Sequence, residues 1–257
     1  MPTAPWQFTT IERRGAVAIV RFDRGEALNA FNEPLVRELT AVAHSFHNDH
    51  ECRAIVLTGA AKAFSAGADL KETYGAQGFA NQRERSQLGR RLCRAWEETP
   101  QITVAAIEGL AVGAGVALAI SCDWRVMGRS AYLYVPEVKI GLTLQWQAIP
   151  RLLNFVNPAR AKRIVVLCEK MGAAQAHDWG LVDELADDGQ AVEGALKLAQ
   201  AAAEMPGEIV TMSKEAINAT ANALNHMASF MDSDVSLLCR DAEPAARARE
   251  AFRSGKR

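Results

Sequence analysis

The stretch that decides the fold is GLAVGAGVAL at residues 109–118, which follows the apolar run ITVAAI at residues 102–107 after the single residue Glu108. The run predicts a buried strand, and the small residues after it predict a tight turn that opens an apolar helix. Such a turn leaves backbone N–H groups without helical partners and directed outward. A second small-residue segment, AFSAGADLK at residues 63–71, follows another apolar run at residues 53–58. Brought together, the two turns would form a two-donor site for a developing oxyanion.

Each segment also has other interpretations. Either could be a tight turn that simply needs small residues. Gly113 and Gly115 match the first two glycines of a dinucleotide-binding fingerprint, but Leu118 at the third position argues against it. Ser65 does not fit a nucleophile elbow, because that motif requires Gly where Ala63 stands. Neither alternative chemistry is therefore favoured.

Strands and helices alternate over the first part of the chain. The predicted elements are strands at residues 16–22, 53–58 and 102–107 and helices at residues 34–46 and 88–96. This alternation predicts the α/β class. From about residue 193 the pattern is almost wholly helical. We therefore predict an α/β core over residues 1–192 and a helical C-terminal region over residues 193–257.

Composition excludes several classes of protein. Among 257 residues, 29 Lys and Arg against 30 Asp and Glu give a formal net charge of −1, which argues against a strongly basic nucleic-acid binder. The sequence has no apolar run of membrane-spanning length and no signal pattern, so we expect a cytoplasmic protein without membrane contact. Five widely spaced cysteines are typical of free thiols. His44, His47 and His50 are expected to be exposed at a helix end rather than to ligate a metal.

The two small-residue segments resemble the oxyanion segments of the crotonase (enoyl-CoA hydratase/isomerase) superfamily. Further matches follow in the expected order over nearly the whole chain: RGEALNA at 24–30, PEVKIG at 136–141, AAQAHDWGLVD at 173–183 and AF at 251–252. The resemblance implies a spiral of ββα units with a helical C-terminal region that forms trimers or dimers of trimers. It also implies an acyl-CoA thioester substrate, with coenzyme A entering only as part of that substrate and no metal or other cofactor.

The resemblance assigns roles to particular residues. The backbone amides of Ala68 and Ala114 would hold the thioester oxygen. Ala114 stands where the family usually has Gly, which a backbone donor tolerates if Ala fits the required φ and ψ. The residues implied to bind the coenzyme or close over it are Arg24, Ala27, Ala66, Leu70, Lys71 and Phe252.

One departure from the family pattern separates two reactions. Hydratases of this family use two glutamates; one matches Glu137, but Ala117 occupies the other position. Adding water needs a base for the water and an acid for the carbon. A double-bond shift needs only one group that carries a proton between neighbouring carbons. Where two-glutamate hydratases usually carry a Gly-rich turn, residues 142–147 of this chain are LTLQWQ. Trp146 in this segment would shape the acyl pocket or fill the core.

The sequence therefore favours one reaction and leaves others open. In pattern the chain is most similar to the single-glutamate Δ3,Δ2-enoyl-CoA isomerase branch, with Glu137 as the acid/base. An apolar pocket would raise the pKa of this residue toward the working pH. The alternatives are a hydratase, dehydratase, lyase or hydrolase with one glutamate, and a non-catalytic acyl-CoA-binding subunit.

Overall fold

A computed structural model of the chain describes residues 6–70 and 78–253. Lys71, which is expected to bind the coenzyme, lies outside these residues, as does the side chain of Phe252. No helix in the described ranges is long and apolar enough to span a membrane. The same ranges contain no cluster of three or more metal-binding side chains. All five cysteines are free thiols, as predicted.

A six-stranded sheet forms the centre of the fold. Its strands, in spatial order, are β1 (Thr9–Arg14), β2 (Val17–Phe22), β3 (Ala54–Thr58), β4 (Ile102–Ile107), β6 (Trp124–Gly128) and β9 (Glu184–Ala186). The β1–β2 pair is an antiparallel hairpin, and every other pairing is parallel. Every residue of β3 and β4 is buried. Their continuous apolar sequences are typical of parallel strands that are covered on both faces.

A second sheet of three short strands lies beside the first. It contains β5 (Leu110–Val112), β7 (Tyr132–Tyr134) and β8 (Met171–Gly172). The chain passes from β4 to β5 through Gly109, whose φ is +64°. Residues with side chains rarely adopt this left-handed conformation. Because a helix follows β5, the chain forms the ββα unit that the resemblance implies, and the predicted α/β class is confirmed.

Helices cover both sheets. The first six are α1 (Glu33–Ser45), α2 (Phe79–Glu97), α3 (Ala114–Ala119), α4 (Ala148–Phe155), α5 (Pro158–Val166) and α6 (Ala173–Asp178). Two 3-10 helices span Ala27–Asn29 and Glu137–Ile140. Helix α1 begins where the Asn32 side chain accepts the Leu35 N–H at 3.0 Å, and Pro34 lies in its first turn. Both features are typical of helix starts.

The last five helices form the C-terminal part of the described chain. They are α7 (Ala191–Ala203), α8 (Gly207–Ala221), α9 (Asn225–Ser229), α10 (Asp232–Asp241) and α11 (Glu243–Arg253). Helix α7 packs against the larger sheet through the buried Ala191, Ala195 and Ala199, since small side chains allow close approach. The Glu108 carboxylate accepts the Ala191 N–H at 2.8 Å and so caps this helix. The division predicted at residue 192 falls in its first turn and stays a prediction.

A buried ion pair fixes α8 to the end of the larger sheet. The Lys214 ammonium donates to Asp123 Oδ2 at 2.7 Å and to the Gln101 carbonyl at 2.8 Å. The same Asp123 oxygen accepts the Thr103 N–H at 2.7 Å. Asp123 therefore joins α8 to the start of β4. Helices α8, α9 and α10 also expose large apolar side chains, among them Ile209, Met212, Ile217, Met227 and Leu238.

Candidate functional site

Two turns, at residues 65–69 and 112–115, lie side by side; we call them the paired turns. The Ser65 N–H donates to the Leu110 carbonyl at 3.1 Å, and the Val112 N–H donates to the Ser65 carbonyl at 2.9 Å. These bonds add the first turn to β5 as a parallel bridge. The second turn then leads directly from β5 into α3. Backbone hydrogen bonds thus bring together residues distant in sequence, and the Ser65 hydroxyl supports the first turn by accepting the Gly67 N–H at 3.1 Å.

Glycines allow this close approach. Gly67 has φ of +89°, and a Cβ on it would lie 2.6 Å from the Val112 carbonyl oxygen. Gly113 has φ of +50°, and a Cβ on it would lie 2.5 Å from Glu137 Oε1. Both positions combine a left-handed backbone with a contact too short for a side chain. The glycines of the paired turns are therefore required by their backbone geometry.

The amides of Ala68 and Ala114 lie in these turns. Phe31 donates to the Gly67 carbonyl at 2.7 Å and accepts the Asp69 N–H at 2.9 Å, which directs the Ala68 N–H away from Phe31. Ala114 is the first residue of α3, where an N–H has no helical partner. Within the described residues, neither amide has a hydrogen-bond acceptor. The geometry leaves both able to bind a ligand oxygen.

Glu137 opens a 3-10 helix directly beside the second turn. The residue is partly buried, but its Oε2 atom is fully buried and has no hydrogen-bond partner among the described residues. Burial raises the pKa of Glu137 to about 7, because the surroundings disfavour the charged carboxylate. At neutral pH such a group can both accept and donate a proton.

A cavity of about 100 Å³ connects the paired turns with Glu137. The predicted site residues that line it are Ala66, Ala68, Leu70, Ala114, Glu137 and Trp146. Ala117 also lines it, buried at the base of α3. Of the described residues around this cavity, Glu137 alone has an ionisable side chain. The Glu137 carboxyl group therefore has mostly apolar neighbours and no other ionisable group beside it among the described lining residues.

Arg24 and Ala27 do not line this cavity but lie beside the first turn. The Arg24 guanidinium donates to Asp69 Oδ2 at 2.6 Å and to Glu26 Oε1 at 3.0 Å. Ala27 is exposed in a 3-10 helix with φ of +50°. The carbonyl of the next residue, Leu28, accepts the Ala66 N–H at 2.9 Å and so supports the turn. In this structure the Arg24 charge is already balanced by two carboxylates.

The C-terminal helix α11 packs on the helix that carries Glu137. A Cβ on Gly141, whose φ is +72°, would lie 2.5 Å from Ala245 Cα. Ala245 is buried at this contact. The helix that contains Phe252 thus packs beside the site of its own chain. The side chain of Phe252 itself lies outside the described residues.

The sequence interpretation did not identify Thr143 as a site residue. Thr143 lines the cavity, and its hydroxyl is fully buried without a hydrogen-bond partner in the described ranges. A polar residue between Leu142 and Leu144 was the available signal. Its position relative to Glu137 depends on the turn after Gly141, which periodicity does not reveal.

The comparisons with known proteins agree with this architecture. The enoyl-CoA hydratase/isomerase family matches residues 12–245. A probable enoyl-CoA hydratase from Rhizobium meliloti (strain 1021) is 34% identical over 211 residues, covering 81% of this chain and 80% of that protein. A short-chain-enoyl-CoA hydratase from Clostridium acetobutylicum is 32% identical over 81% of this chain and 80% of its own length.

A solved structure of an enoyl-CoA hydratase/isomerase has the same fold as this chain. The enoyl-CoA hydratase/isomerase of Mycobacterium paratuberculosis superposes with a TM-score of 0.86 at 25% identity, covering 96% of this chain and 99% of that one. Family, relatives and fold therefore coincide over most of the sequence. The chain belongs to the enoyl-CoA hydratase/isomerase family.

Proposed function

We propose that this acyl-CoA enzyme shifts a carbon–carbon double bond, converting a 3-enoyl-CoA to a 2-enoyl-CoA. The observation that carries the proposal is that Glu137 is the single ionisable side chain that the described residues bring to the cavity, with Ala117 at the position where a second glutamate would stand. One carboxylate suffices for a double-bond shift, because the proton that it removes is the proton that it returns.

The proposed reaction has two proton transfers. The Glu137 carboxylate removes the C2 proton of the 3-enoyl thioester, and the C2–H electron pair moves into a dienolate. The amides of Ala68 and Ala114 stabilise the negative charge on the thioester oxygen. The protonated Glu137 then returns the proton at C4, which leaves the double bond between C2 and C3. Preorganised amide donors of this kind typically contribute the largest electrostatic stabilisation.

The proposal assigns coenzyme A only as part of the substrate. Ala66 and Leu70 line the cavity, on the segment that resembles the coenzyme-binding wall of the family, and Leu70 is exposed. Lys71, Arg24, Ala27 and Phe252 remain proposed coenzyme contacts. Charge reversal at Arg24 would test this part, although its pairing with Asp69 also makes it a structural residue.

The experiment compares two substrates and two variants. Purified protein is given a 3-enoyl-CoA and a 2-enoyl-CoA in water, and double-bond shift and hydration are measured separately. We expect the shift to be faster, and we expect Glu137→Gln to reduce it by about 10²- to 10⁴-fold. The control is Glu184→Gln, an exposed strand residue. Faster hydration than shift, or an active Glu137→Gln variant, would overturn the proposal.

Hydration is the second candidate, and two observations favour it. The relatives from Rhizobium meliloti and Clostridium acetobutylicum are named enoyl-CoA hydratases. The buried Thr143 hydroxyl gives the cavity a second hydrogen-bonding group, which could hold a water molecule beside Glu137. A single carboxyl with a pKa near neutrality would then activate the water and protonate the carbon in turn.

We further propose a homotrimer or a dimer of trimers. The exposed apolar residues of α8, α9 and α10 form a surface that water solvates poorly, which is typical of an interaction surface. Light scattering on the purified protein would measure the mass directly. A monomer at micromolar concentration would contradict this part of the proposal without affecting the chemistry.

A further inference from the structure

Residues 142–147, which we call the Trp146 loop, end in an unusual backbone conformation. The φ angle is +63° at Trp146 and +59° at Gln147. Large side chains adopt the left-handed region only when their surroundings impose it. Two such residues in succession indicate that other parts of the protein hold this turn.

Three charged side chains supply that constraint. Asp232 Oδ2 accepts the Gln147 N–H at 2.7 Å, and Arg151 Nη1 donates to the Trp146 carbonyl at 2.9 Å. The Arg151 side chain is 3% exposed and forms two 2.8 Å hydrogen bonds with the Glu97 carboxylate. Paired geometry of this kind orients a guanidinium more firmly than a single contact does. Helices α2, α4 and α10 therefore converge on one turn.

The same turn places the Trp146 indole in the cavity wall. Its ring lies 5.8 Å from the Phe31 ring, measured between centroids. On another side it packs against α2 at Gly89, where a Cβ would overlap the indole. The indole thus occupies a space that exists only because residue 89 has no side chain. It lines the cavity together with Glu137.

We propose that the Trp146 indole limits the length of the acyl group, so that the protein accepts short acyl chains. We assign Arg151, Glu97 and Asp232 as positioning residues that hold the indole in place. A cavity of about 100 Å³ is small beside ordinary ligand pockets of roughly 300 to 1,000 Å³, which suits an acyl group of a few carbon atoms. The inference rests on the proposed acyl-CoA function and specifies its substrate class.

The main test measures acyl-length preference. Four-carbon and ten-carbon acyl-CoAs are compared by thermal stabilisation of the protein, and the matching enoyl-CoAs by kcat/KM. We expect Trp146→Ala to raise the ten-carbon to four-carbon ratio by about tenfold or more, the scale of a pocket-size change. An unchanged ratio would overturn the inference.

A coupling measurement locates the indole. Gly89→Ala should weaken four-carbon binding in the parent protein, because its new methyl group displaces the indole. It should have little effect in the Trp146→Ala background, where nothing is displaced. Gly172→Ala is the matched control, because a Cβ at that position meets no atom within 4 Å. Equal effects of Gly89→Ala in both backgrounds would contradict the assigned contact.

The positioning role has its own readout. Asp232→Ala removes the acceptor for the Gln147 N–H and should change the length ratio in the same direction as Trp146→Ala. Asp232→Asn keeps an acceptor and should restore the parent ratio. Asp234→Ala on the same helix, which removes only the ion pair with the exposed Arg83, is the control. A variant that loses stability but keeps the parent ratio would show a purely structural role and contradict the assignment.

The outcome separates this inference from the reaction. Length-dependent binding without double-bond shift would contradict the proposed reaction and leave the inference standing. Double-bond shift with an unaltered length profile in Trp146→Ala would contradict the inference alone.

Discussion

The paired turns and the Trp146 loop line the same cavity but are held in place by different means. Backbone hydrogen bonds to β5 and to Phe31, together with the Ser65 hydroxyl, hold the turn at residues 65–69, and Gly67 occupies its left-handed position. In the Trp146 loop, bulky residues occupy the left-handed positions, and side chains hold the backbone. Both constructions join segments that are distant in sequence. In the paired turns, glycines and backbone amides make most of the contacts, whereas in the Trp146 loop charged side chains of α2, α4 and α10 make them. Substitutions of those side chains should therefore move the loop while the paired turns stay in place.

Among substitutions in these two regions, one that displaces the paired turns should have the largest effect. Gly67→Ala would place a Cβ 2.6 Å from the Val112 carbonyl oxygen at a φ of +89°, so the backbone has to move. Displacing one amide donor should lower kcat/KM by about 10²- to 10³-fold. Steady-state kinetics on the folded fraction, established by circular dichroism, provides the measurement. Parent-like kinetics for this variant would show that the Ala68 amide does not hold the thioester oxygen.

The difference between the two regions also explains what the sequence could predict. The runs at residues 53–58 and 102–107 closely match β3 and β4, because fully buried parallel strands are continuous apolar stretches. The hairpin strand β1 was not predicted, since its outer residues are mostly polar. Helix α2 begins at Phe79, nine residues before the predicted start at residue 88. The prediction missed the first half of the helix because its largely polar sequence lacks an apolar periodicity.

The candidate site also combines features that could be predicted from the sequence with features that could not. The small-residue turns could be identified from short motifs, because glycines in such turns are recognisable in a sequence, and Glu137 could be identified from the resemblance to the family. The partners of the Trp146 loop could not, since Glu97 and Asp232 lie 54 and 85 positions away from the residues they bind. Neither pairing follows from periodicity or from a motif. Long-range polar contacts are the part of this site that only the structure reveals.

A second carboxylate at position 117 of α3 tests whether the number of carboxylates selects the reaction. Ala117→Glu would place an acid in the cavity opposite Glu137, where the resemblance to two-glutamate hydratases implies one. We expect the ratio of hydration to double-bond shift to rise by at least about tenfold, because acid and base can then act separately. Ala117→Gln has a similar size without the charge and should not produce this gain. Equal ratios in the two variants would show that carboxylate number does not select the reaction.

The pH dependence of kcat/KM and of stability tests the environment that the paired turns and the Trp146 loop create around Glu137. Burial raises the pKa of Glu137 from 4.5 to about 7, so the base is ionised only above neutrality and kcat/KM should rise through about pH 7. A raised pKa also means that the folded state favours the protonated carboxyl. The stability contribution is therefore fully present below pH 4.5 and is lost as pH rises through about 7.

Urea unfolding at pH 5 and pH 8 measures this loss. Glu137→Gln removes the ionisation, so at pH 8 it should be more stable than the parent by on the order of 1 to 3 kcal/mol. At pH 5 the two proteins should differ less. A parent protein whose stability does not decline relative to Glu137→Gln over this range would indicate a carboxyl with an ordinary pKa.

The smallest expected effect concerns Thr143, whose hydroxyl is the one fully buried polar side-chain group of the Trp146 loop without a partner in the described structure. Thr143→Val has nearly the same shape and removes only the hydroxyl, so stability should stay unchanged or rise slightly. If this hydroxyl holds a water molecule, hydration of a 2-enoyl-CoA should fall by about fivefold, the effect of one hydrogen bond. Double-bond shift of a 3-enoyl-CoA should remain, since no water takes part. Thr143→Ser, which keeps the hydroxyl, is the control. A fall in both reactions would mean that Thr143 acts through the shape of the cavity, and the loop would then influence the chemistry as well as the acyl length.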